Sequence, residues 1–219
     1  MSATAPSLPL GAPSHGGGHA HAAGLTEAAP HGPSKRIVVA YGFWIFLISD
    51  IILFATLFAA YAVLSGSTAG GPAGRDLFQL PMVALQTACL LLSTLFCGFA
   101  TIGANLGHRV AFHGAMAATG LFGAAFLALE LHEFAELIAA GHGPQRSAFL
   151  SAFFALIGCH GLHVAAGLLW LLTMMAQVVA KGFRADIQRR ILCFGLFWHT
   201  LDIVWVALFS LVYLVGVAP

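Results

Sequence analysis

Two apolar stretches near the end of the chain contain ionisable side chains that could do chemistry. The first, GCHGLHVAAG, contains His160 and His163, and the second, FWHTLDIVW, contains His199 and Asp202. The members of each pair are three residues apart, so each pair projects from one face of a helix. Imidazole and carboxylate groups can exchange protons, hydrogen-bond to each other or bind a metal ion. These four residues are therefore the first candidates for a functional site.

The sequence around these residues is apolar enough to lie in a lipid bilayer. Of the 219 residues, 59% are hydrophobic and only 8% are charged, and the mean hydropathy is +0.91. An ordinary soluble domain has about a quarter of its residues charged. A charged group at the centre of a bilayer costs roughly 2.5 to 3.5 kcal/mol on insertion scales, so it persists where protein, water or headgroups satisfy it. The formal net charge of +1 gives no basic field for nucleic acid.

Five apolar stretches each provide the roughly 20 residues that a helix needs to span about 30 Å of hydrocarbon. We expect an all-α fold, a polytopic membrane bundle of five transmembrane helices. Residues 1–34 are rich in Gly, Ala, Pro and His and lack a signal-peptide pattern, so they predict a flexible cytoplasmic tail that stays on the protein. Residues 35–219 form the predicted transmembrane domain, with helices at Ile37–Leu64, Leu80–Ala104, Val110–Ala140, Ala148–Ala180 and Ile191–Val217.

The basic residues predict the orientation of this bundle. In the five-helix arrangement, seven of the nine Lys and Arg residues fall on the side of the N-terminus, and only Arg75 and Arg146 fall on the other side. Short loops rich in Lys and Arg stay in the cytoplasm. We therefore expect a cytoplasmic N-terminus and a C-terminus on the opposite, periplasmic side.

The histidines and Asp202 predict a contact between the last two helices. Because these helices run in opposite directions, His160 and His163 share the middle and inner half of the bilayer with His199 and Asp202. Facing each other, the pairs would form a polar network that joins the helices. We favour this network over metal or haem ligation, which requires imidazoles aimed at one point. A membrane b-type cytochrome with haem between His160 or His163 and His199 is the alternative.

Carboxylates in the first and third predicted helices are further candidates. Asp50 has no basic residue nearby in its own helix, which makes it the best single candidate for a proton-linked or lipid-linked role. The alternative of equal weight is a protonated acid that is hydrogen-bonded to a neighbouring backbone or hydroxyl group. Glu130, Glu133 and Glu136 repeat every three residues near the end of the third helix. A solvated helix end explains Glu136, whereas Glu130 and Glu133 could face protein.

Several motifs together carry a family resemblance. They are HGLHV at His160–Val164, FWHTLDIVW at Phe197–Trp205, WIFLISDIILFATLFAAY at Trp44–Tyr61 and GPQRSAFLSAFFALIGCHGLHV at Gly143–Val164. From about Tyr41 to Gly216 the chain resembles subunit 3 of the haem-copper terminal oxidases. RDLFQLP at Arg75–Pro81 resembles the quinol-oxidase branch of that family. Members commonly have seven helices, whereas five are predicted here.

The resemblance implies an accessory, non-redox subunit with no catalytic residue and no metal of its own. The complex would be a proton-pumping oxidase of a bacterial inner membrane that oxidises ubiquinol and reduces oxygen to water. Its subunit 1 would hold the haems, the copper and the quinol. This chain would contact subunit 1 chiefly and also subunits 2 and 4, support the stability of subunit 1 and bind phospholipid.

The resemblance also assigns residues. Asp50 matches the buried carboxylate of the family, where many relatives have glutamate, and Glu133 matches the acid late in the middle helix. His160, His163, His199 and Asp202 match the two signatures, and none of them is a family metal ligand.

Other functions remain as alternatives. Subunit 3-like proteins of a cytochrome c oxidase or a nitric oxide reductase are the nearest, because only the first loop favours the quinol branch. A proton-coupled transporter using Asp50 and Asp202 is a more distant one, and the sequence shows no inverted repeat to support it.

Overall fold

The computed structural model of the protein describes residues 35–72 and 74–217, and these residues contain helices and turns but no strand. Five helices in the described ranges are long and apolar enough to cross a membrane. This confirms the prediction of an all-α bundle with five transmembrane helices. The predicted tail at residues 1–34 lies outside the described residues. The helices are α1 Lys35–Leu64, α2 Gly74–Leu77, α3 Leu80–Asn105, α4 Arg109–Ala139, α5 Ala148–Lys181, α6 Ala185–Leu208 and α7 Val215–Val217, with a π-helical segment at Phe209–Leu214 between the last two.

The helix ends follow local sequence signals. Pro81 lies in the first turn of α3, where its missing N–H leaves no hydrogen bond unmade. Ser147 caps α5 by accepting a hydrogen bond from the Leu150 N–H at 3.2 Å. Gly182 ends α5 with a φ of +71°, a conformation that glycine adopts without a steric penalty. The last two predicted helices leave a connection of residues 181–190 between them, and this connection is much shorter in the structure because α6 already begins at Ala185.

The last transmembrane helix is the centre of the bundle. α6 contacts α1, α3 and α5, while α3 and α4 pair closely through a short turn and α5 packs between α4 and α1. In the most apolar 18-residue window of the span that includes α6, 56% of the residues are buried inside the protein, against 11% for α1. α1 is therefore the peripheral helix. We call the end of the bundle that contains the α4–α5 loop and the π-helical segment its C-terminal end.

Trp198 of α6 inserts between two glycines of the neighbouring helices. A Cβ atom would come within 2.6 Å of the indole if added to Gly167 in α5, and within 2.9 Å if added to Gly123 in α4. The indole Nε1–H donates a hydrogen bond to the Ser93 hydroxyl of α3 at 3.1 Å. Ser93 in turn donates to the Thr119 carbonyl of α4 at 2.8 Å. One side chain thus connects four helices.

Trp205 repeats this contact two helical turns later. Its Nε1–H donates to the Thr87 hydroxyl of α3 at 3.0 Å. Its ring packs against Phe126 of α4, with centroids 4.6 Å apart, and against His160 of α5, with centroids 5.2 Å apart. Both tryptophans therefore set the rotation of α6 about its own axis.

We expect Gly167→Ala to destabilise the bundle, because its Cβ would overlap the Trp198 ring and overpacking typically costs about 1 to 3 kcal/mol. The measurement is the temperature at which the detergent-solubilised protein loses its monodisperse chromatographic peak. Gly98→Ala in α3 is the matched control, since nothing lies within 4 Å of the added Cβ and alanine favours the helix. Equal melting temperatures for the two variants would contradict the tight packing of the Trp198 ring against Gly167.

Candidate functional site

His160 is fully buried at the contact between α5 and α6. Its Nε2–H donates to the Leu201 carbonyl of α6 at 3.2 Å, which places the proton of the neutral ring on Nε2. The ring lies against Phe126 and Trp205, with centroids 5.6 and 5.2 Å away, and Nδ1 has no hydrogen-bond partner. His160 is thus a polar contact between two helices within an aromatic enclosure.

His163 faces a different neighbour. Its Nδ1–H donates to the Cys159 carbonyl of the same helix at 2.7 Å. Its ring packs on Phe54 of α1, with centroids 5.2 Å apart, and lies 6.5 Å from the ring of Phe197. His163 therefore contributes to the α1–α5 contact through its ring surface and satisfies its own N–H within α5.

His199 and Asp202 share one face of α6, as their spacing predicts, but this face is directed towards α3. Asp202 is 9% exposed and lies near Thr94, although neither Asp202 Oδ1 nor Thr94 Oγ1 has a hydrogen-bond partner. His199 is exposed, in a shallow depression lined by Gly98 and Thr101 of α3. The pair is consequently turned away from α5.

The four residues do not form the single network expected from the sequence. Within the described ranges, no hydrogen bond joins His160 or His163 to His199 or Asp202, and the α5–α6 link runs from His160 to a backbone carbonyl instead. The physical reason is the rotation of α6, because its tryptophans turn the His199–Asp202 face towards α3. The imidazoles of His163 and His199 accordingly contact different helices, Phe54 of α1 in one case and the surface of Gly98 and Thr101 in α3 in the other.

Asp50 lies near the middle of α1, on the side of α5. Its carboxyl group is half-buried and lies near the Cys159 thiol of α5. One turn later, Phe54 covers both His160 and His163. Among the described residues, no side-chain hydrogen bond to Asp50 is present.

The acids at the end of α4 separate into buried and exposed groups. Glu130 is 2% exposed and Glu133 is half-buried, whereas Glu136 is exposed and pairs with His132 at 3.3 Å. The exposure of Glu136 agrees with the solvated helix end that explains it in the sequence. Glu133 accepts a hydrogen bond from the Gln86 amide nitrogen of α3 at 3.0 Å.

Three residues around these acids were not predicted to be part of the site. Gln86 is fully buried in α3, and Tyr213 of the π-helical segment donates to Glu133 at 3.4 Å. A Cβ on Gly161 would come within 2.5 Å of Glu130 Oε1, so the glycine makes room for the carboxyl group. A lone amide inside an apolar run is a signal that could have drawn attention to Gln86.

Metal binding receives no support from the geometry. In residues 35–72 and 74–217, no group of three or more His, Cys, Asp or Glu side chains is arranged to hold a metal ion. The ionisable side chains are distributed over the α1–α5, α5–α6, α3–α6 and α3–α4 contacts. The site is thus a set of interhelical polar contacts and one buried acidic cluster.

These features define a class of protein, the polytopic α-helical membrane proteins with carboxylates and histidines at their helix contacts. The family model for cytochrome c oxidase subunit III matches residues 24–217. The chain belongs to the cytochrome c oxidase subunit III family. This confirms the resemblance drawn from the sequence motifs.

Three relatives illustrate the similarity. The chain is 55% identical to the cytochrome bo(3) ubiquinol oxidase subunit 3 of Pseudomonas putida, over 80% of this chain and 85% of the relative. It is 49% identical to the protein of the same name from Pseudomonas aeruginosa, over 90% and 93% of the two chains. It is 39% identical to a cytochrome c oxidase subunit 3 of Bacillus sp. (strain PS3), over 90% and 98%.

We expect His160→Leu to destabilise the helix bundle and His199→Leu to leave its stability nearly unchanged. His160 is fully buried and joins α5 to α6, whereas His199 is exposed. A neutral buried hydrogen bond contributes about 0.5 to 1.5 kcal/mol, and removal of the ring adds a packing loss. The measurement is thermal unfolding of the two purified variants beside the unsubstituted protein. A larger loss of thermal stability for His199→Leu than for His160→Leu would contradict this assignment and favour the four-residue network expected from the sequence.

Proposed function

We propose that this chain is the accessory, non-redox subunit 3 of a proton-pumping ubiquinol oxidase in a bacterial inner membrane. The observation that carries the proposal is the identity of 49% to 55% with relatives named cytochrome bo(3) ubiquinol oxidase subunit 3, over 85% to 93% of their length. The dispersed imidazoles support a non-redox role, since they engage separate helix contacts. The haems, copper and quinol would then belong to subunit 1.

The peripheral helix α1 supports a role in assembly with subunit 1, together with subunits 2 and 4. Transmembrane helices associate through close packing of side chains, because lipid is as apolar as they are. α1 buries few of its residues within this chain and leaves large apolar side chains exposed along its length. This surface is available for lipid and for helices of other subunits. Exposed members include Trp44, Ile45, Ile48, Ile51 and Ile52.

The distribution of basic side chains supports a cytoplasmic N-terminus and a periplasmic C-terminus. Arg75 and Arg146 lie at the C-terminal end of the bundle, near the loops that follow α1 and α4. The opposite end of the bundle has more Lys and Arg side chains, as the positive-inside rule requires of the cytoplasmic side. The basic side chains there are those of Arg109, Lys181, Arg184, Arg189 and Arg190.

The electron donor distinguishes this proposal from its nearest alternative, a subunit 3 of a cytochrome c oxidase. The 39% identity with the Bacillus sp. protein of that name favours the alternative to a smaller degree. The test is to purify the complex through an affinity tag on this chain and measure oxygen consumption with ubiquinol and with reduced cytochrome c. Oxygen consumption that depends on ubiquinol supports the proposal, whereas activity with cytochrome c alone contradicts it.

We expect Asp50→Asn to leave the initial rate of oxygen reduction in the assembled complex close to normal, because no redox group lies in this chain under the proposal. The loss of a half-buried carboxylate should instead alter proton uptake or shorten activity during turnover. The measurement is oxygen consumption over many turnovers, with proton uptake followed in vesicles. Asp50→Glu is the matched control. Immediate loss of all activity in a fully assembled complex would contradict the accessory role.

A groove at the C-terminal end of the bundle supports the proposed binding of phospholipid. A cavity of about 500 Å³ lies between the end of α1, α2 and the last turns of the chain. Arg75 lines it, together with Tyr61 and Phe58, and Phe58 also lines an apolar depression between α1 and α6 that is deeper in the membrane. A guanidinium group beside an apolar channel suits a phosphate headgroup with its acyl chain.

We expect Arg75→Ala to reduce the amount of anionic phospholipid that copurifies with the complex. The reason is that this substitution removes the cation at the mouth of the groove while it leaves the apolar walls intact. The measurement is lipid analysis of the washed, purified complex. Arg146→Ala is the matched control, because Arg146 is at the same end of the bundle but does not line the groove. Unchanged lipid content, or an equal loss in both variants, would contradict the proposed site.

A further inference from the structure

A cluster of polar side chains is enclosed between helices at the C-terminal end of the bundle. Glu130 and Glu133 come from α4, Gln86 from α3 and Tyr213 from the π-helical segment. Gln86 and Tyr213 are fully buried, and Glu130 is 2% exposed. Neither carboxyl group has an ion pair with a Lys or Arg side chain in the described part of the chain. The cluster thus holds two acids without a counter-charge.

The cluster has more acceptors than donors. The Gln86 amide and the Tyr213 hydroxyl both donate to Glu133. Glu130 Oε2 and Gln86 Oε1 are buried and have no hydrogen-bond partner. Since a buried acceptor without a partner is unfavourable, these atoms indicate that a donor is part of the site. The donor must be small, because Gly161 packs directly against the Glu130 carboxyl.

We propose that Glu130 and Glu133 form a proton-binding site, in which a proton held between the carboxyl groups and neighbouring water is the ligand. Two carboxylates that share a site of low dielectric disfavour the doubly ionised state, so the pair titrates as a unit. A bound proton converts an acceptor into the donor that Glu130 Oε2 and Gln86 Oε1 lack.

The titratable groups around the pair are a third acid, a histidine and two tyrosines. The titratable side chains that face the pair are Glu136 on α4, His142 in the α4–α5 loop, and Tyr213 with Tyr61 of α1 behind it. His160 of α5 precedes Gly161, but its N–H is directed to α6.

An open cavity gives this site a route to the water phase. The cavity of about 260 Å³ is lined by Glu133 at its inner end and by Glu136 and His142 nearer the surface. Its other walls come from Gln79, Met82, Leu137 and Ala140. Protons therefore have access to Glu133 from the C-terminal end of the bundle, and Glu130 lies behind it.

Two local features of the chain are specific to the site. Gly161 leaves the space that the Glu130 carboxyl occupies, whereas Gly158 on the same helix faces only Phe134, at an ordinary contact distance of 3.6 Å from an added Cβ. The π-helical turns at Phe209–Leu214 change the register of the last helix and place Tyr213 beside Glu133. π-Helical turns within α-helices are frequent at functional sites.

The test is infrared difference spectroscopy of the complex purified through this chain, recorded as a function of pH for the protein with and without Glu130→Gln. We expect a carboxylic acid C=O band in the original protein and its loss in Glu130→Gln. Glu136→Gln, an exposed acid on the same helix, is the matched control and should keep the band. No difference between the original protein and Glu130→Gln would overturn the proposal. Loss of the band on addition of calcium or sodium ions at constant pH would also overturn it, since the site would then bind a metal cation.

A second set of variants keeps the test decisive if Glu130→Gln does not assemble. Glu133→Gln retains Glu130 and should shift the pH at which the band disappears, whereas an unchanged midpoint overturns the shared site. Ala140→Trp narrows the cavity and should slow the exchange of the carboxylic acid proton for deuterium in heavy water, which is followed as the shift of the C=O band. Ala139→Trp is the control, because Ala139 does not line the cavity. Equal exchange rates in the two variants would contradict proton access to Glu133 through this cavity. These readouts do not depend on the electron donor, so they are independent of the proposed function.

Discussion

The insertion of Trp198 between Gly123 and Gly167 is the contact on which the arrangement of the bundle depends. In lipid, helices gain little from burying apolar surface against each other, so close packing and hydrogen bonds decide which faces meet. Trp198 provides both, because its ring fills a slot that only glycine leaves open and its N–H donates to Ser93. Trp205 adds a second hydrogen bond to α3 two turns later. α6 is thereby held at one rotation against α3, α4 and α5.

The positions of the polar groups follow from that rotation. With the two indoles directed into the bundle, the Leu201 carbonyl points to α5, where the buried His160 donates to it. Asp202 and His199 are then on the side of α3, and His199 is left exposed. The aromatic packing thus sets the rotation of α6, and the polar contacts follow from that rotation.

The sequence predicted the parts of the structure that depend on length, hydropathy and spacing. The five helices belong to this group, and so does the shared face of His199 and Asp202. The start of α6 at Ala185 was missed, because helix continues through polar residues once it leaves the lipid. The helix that each polar pair contacts was also missed. A spacing of three residues shows that two side chains share one face of their helix, but it does not show which neighbouring helix lies against that face. Gly161 and Gly167 illustrate the same limit, because the atoms that occupy their missing side-chain space come from α4 and α6.

The two acidic regions of the chain differ in a way that bears on their roles. Asp50 is half-buried on a peripheral helix, where another subunit or a lipid can reach it. Glu130 is enclosed, although replacement of buried ionic groups by well-packed apolar side chains is often neutral or stabilising. The surrounding residues are instead specialised for a carboxyl group: Gly161 provides its space, and Gln86 and Tyr213 orient the adjacent Glu133. Such a combination of fitted space, oriented donors and an open cavity is the arrangement that reversible proton binding requires, because the group must be held in place in both of its protonation states.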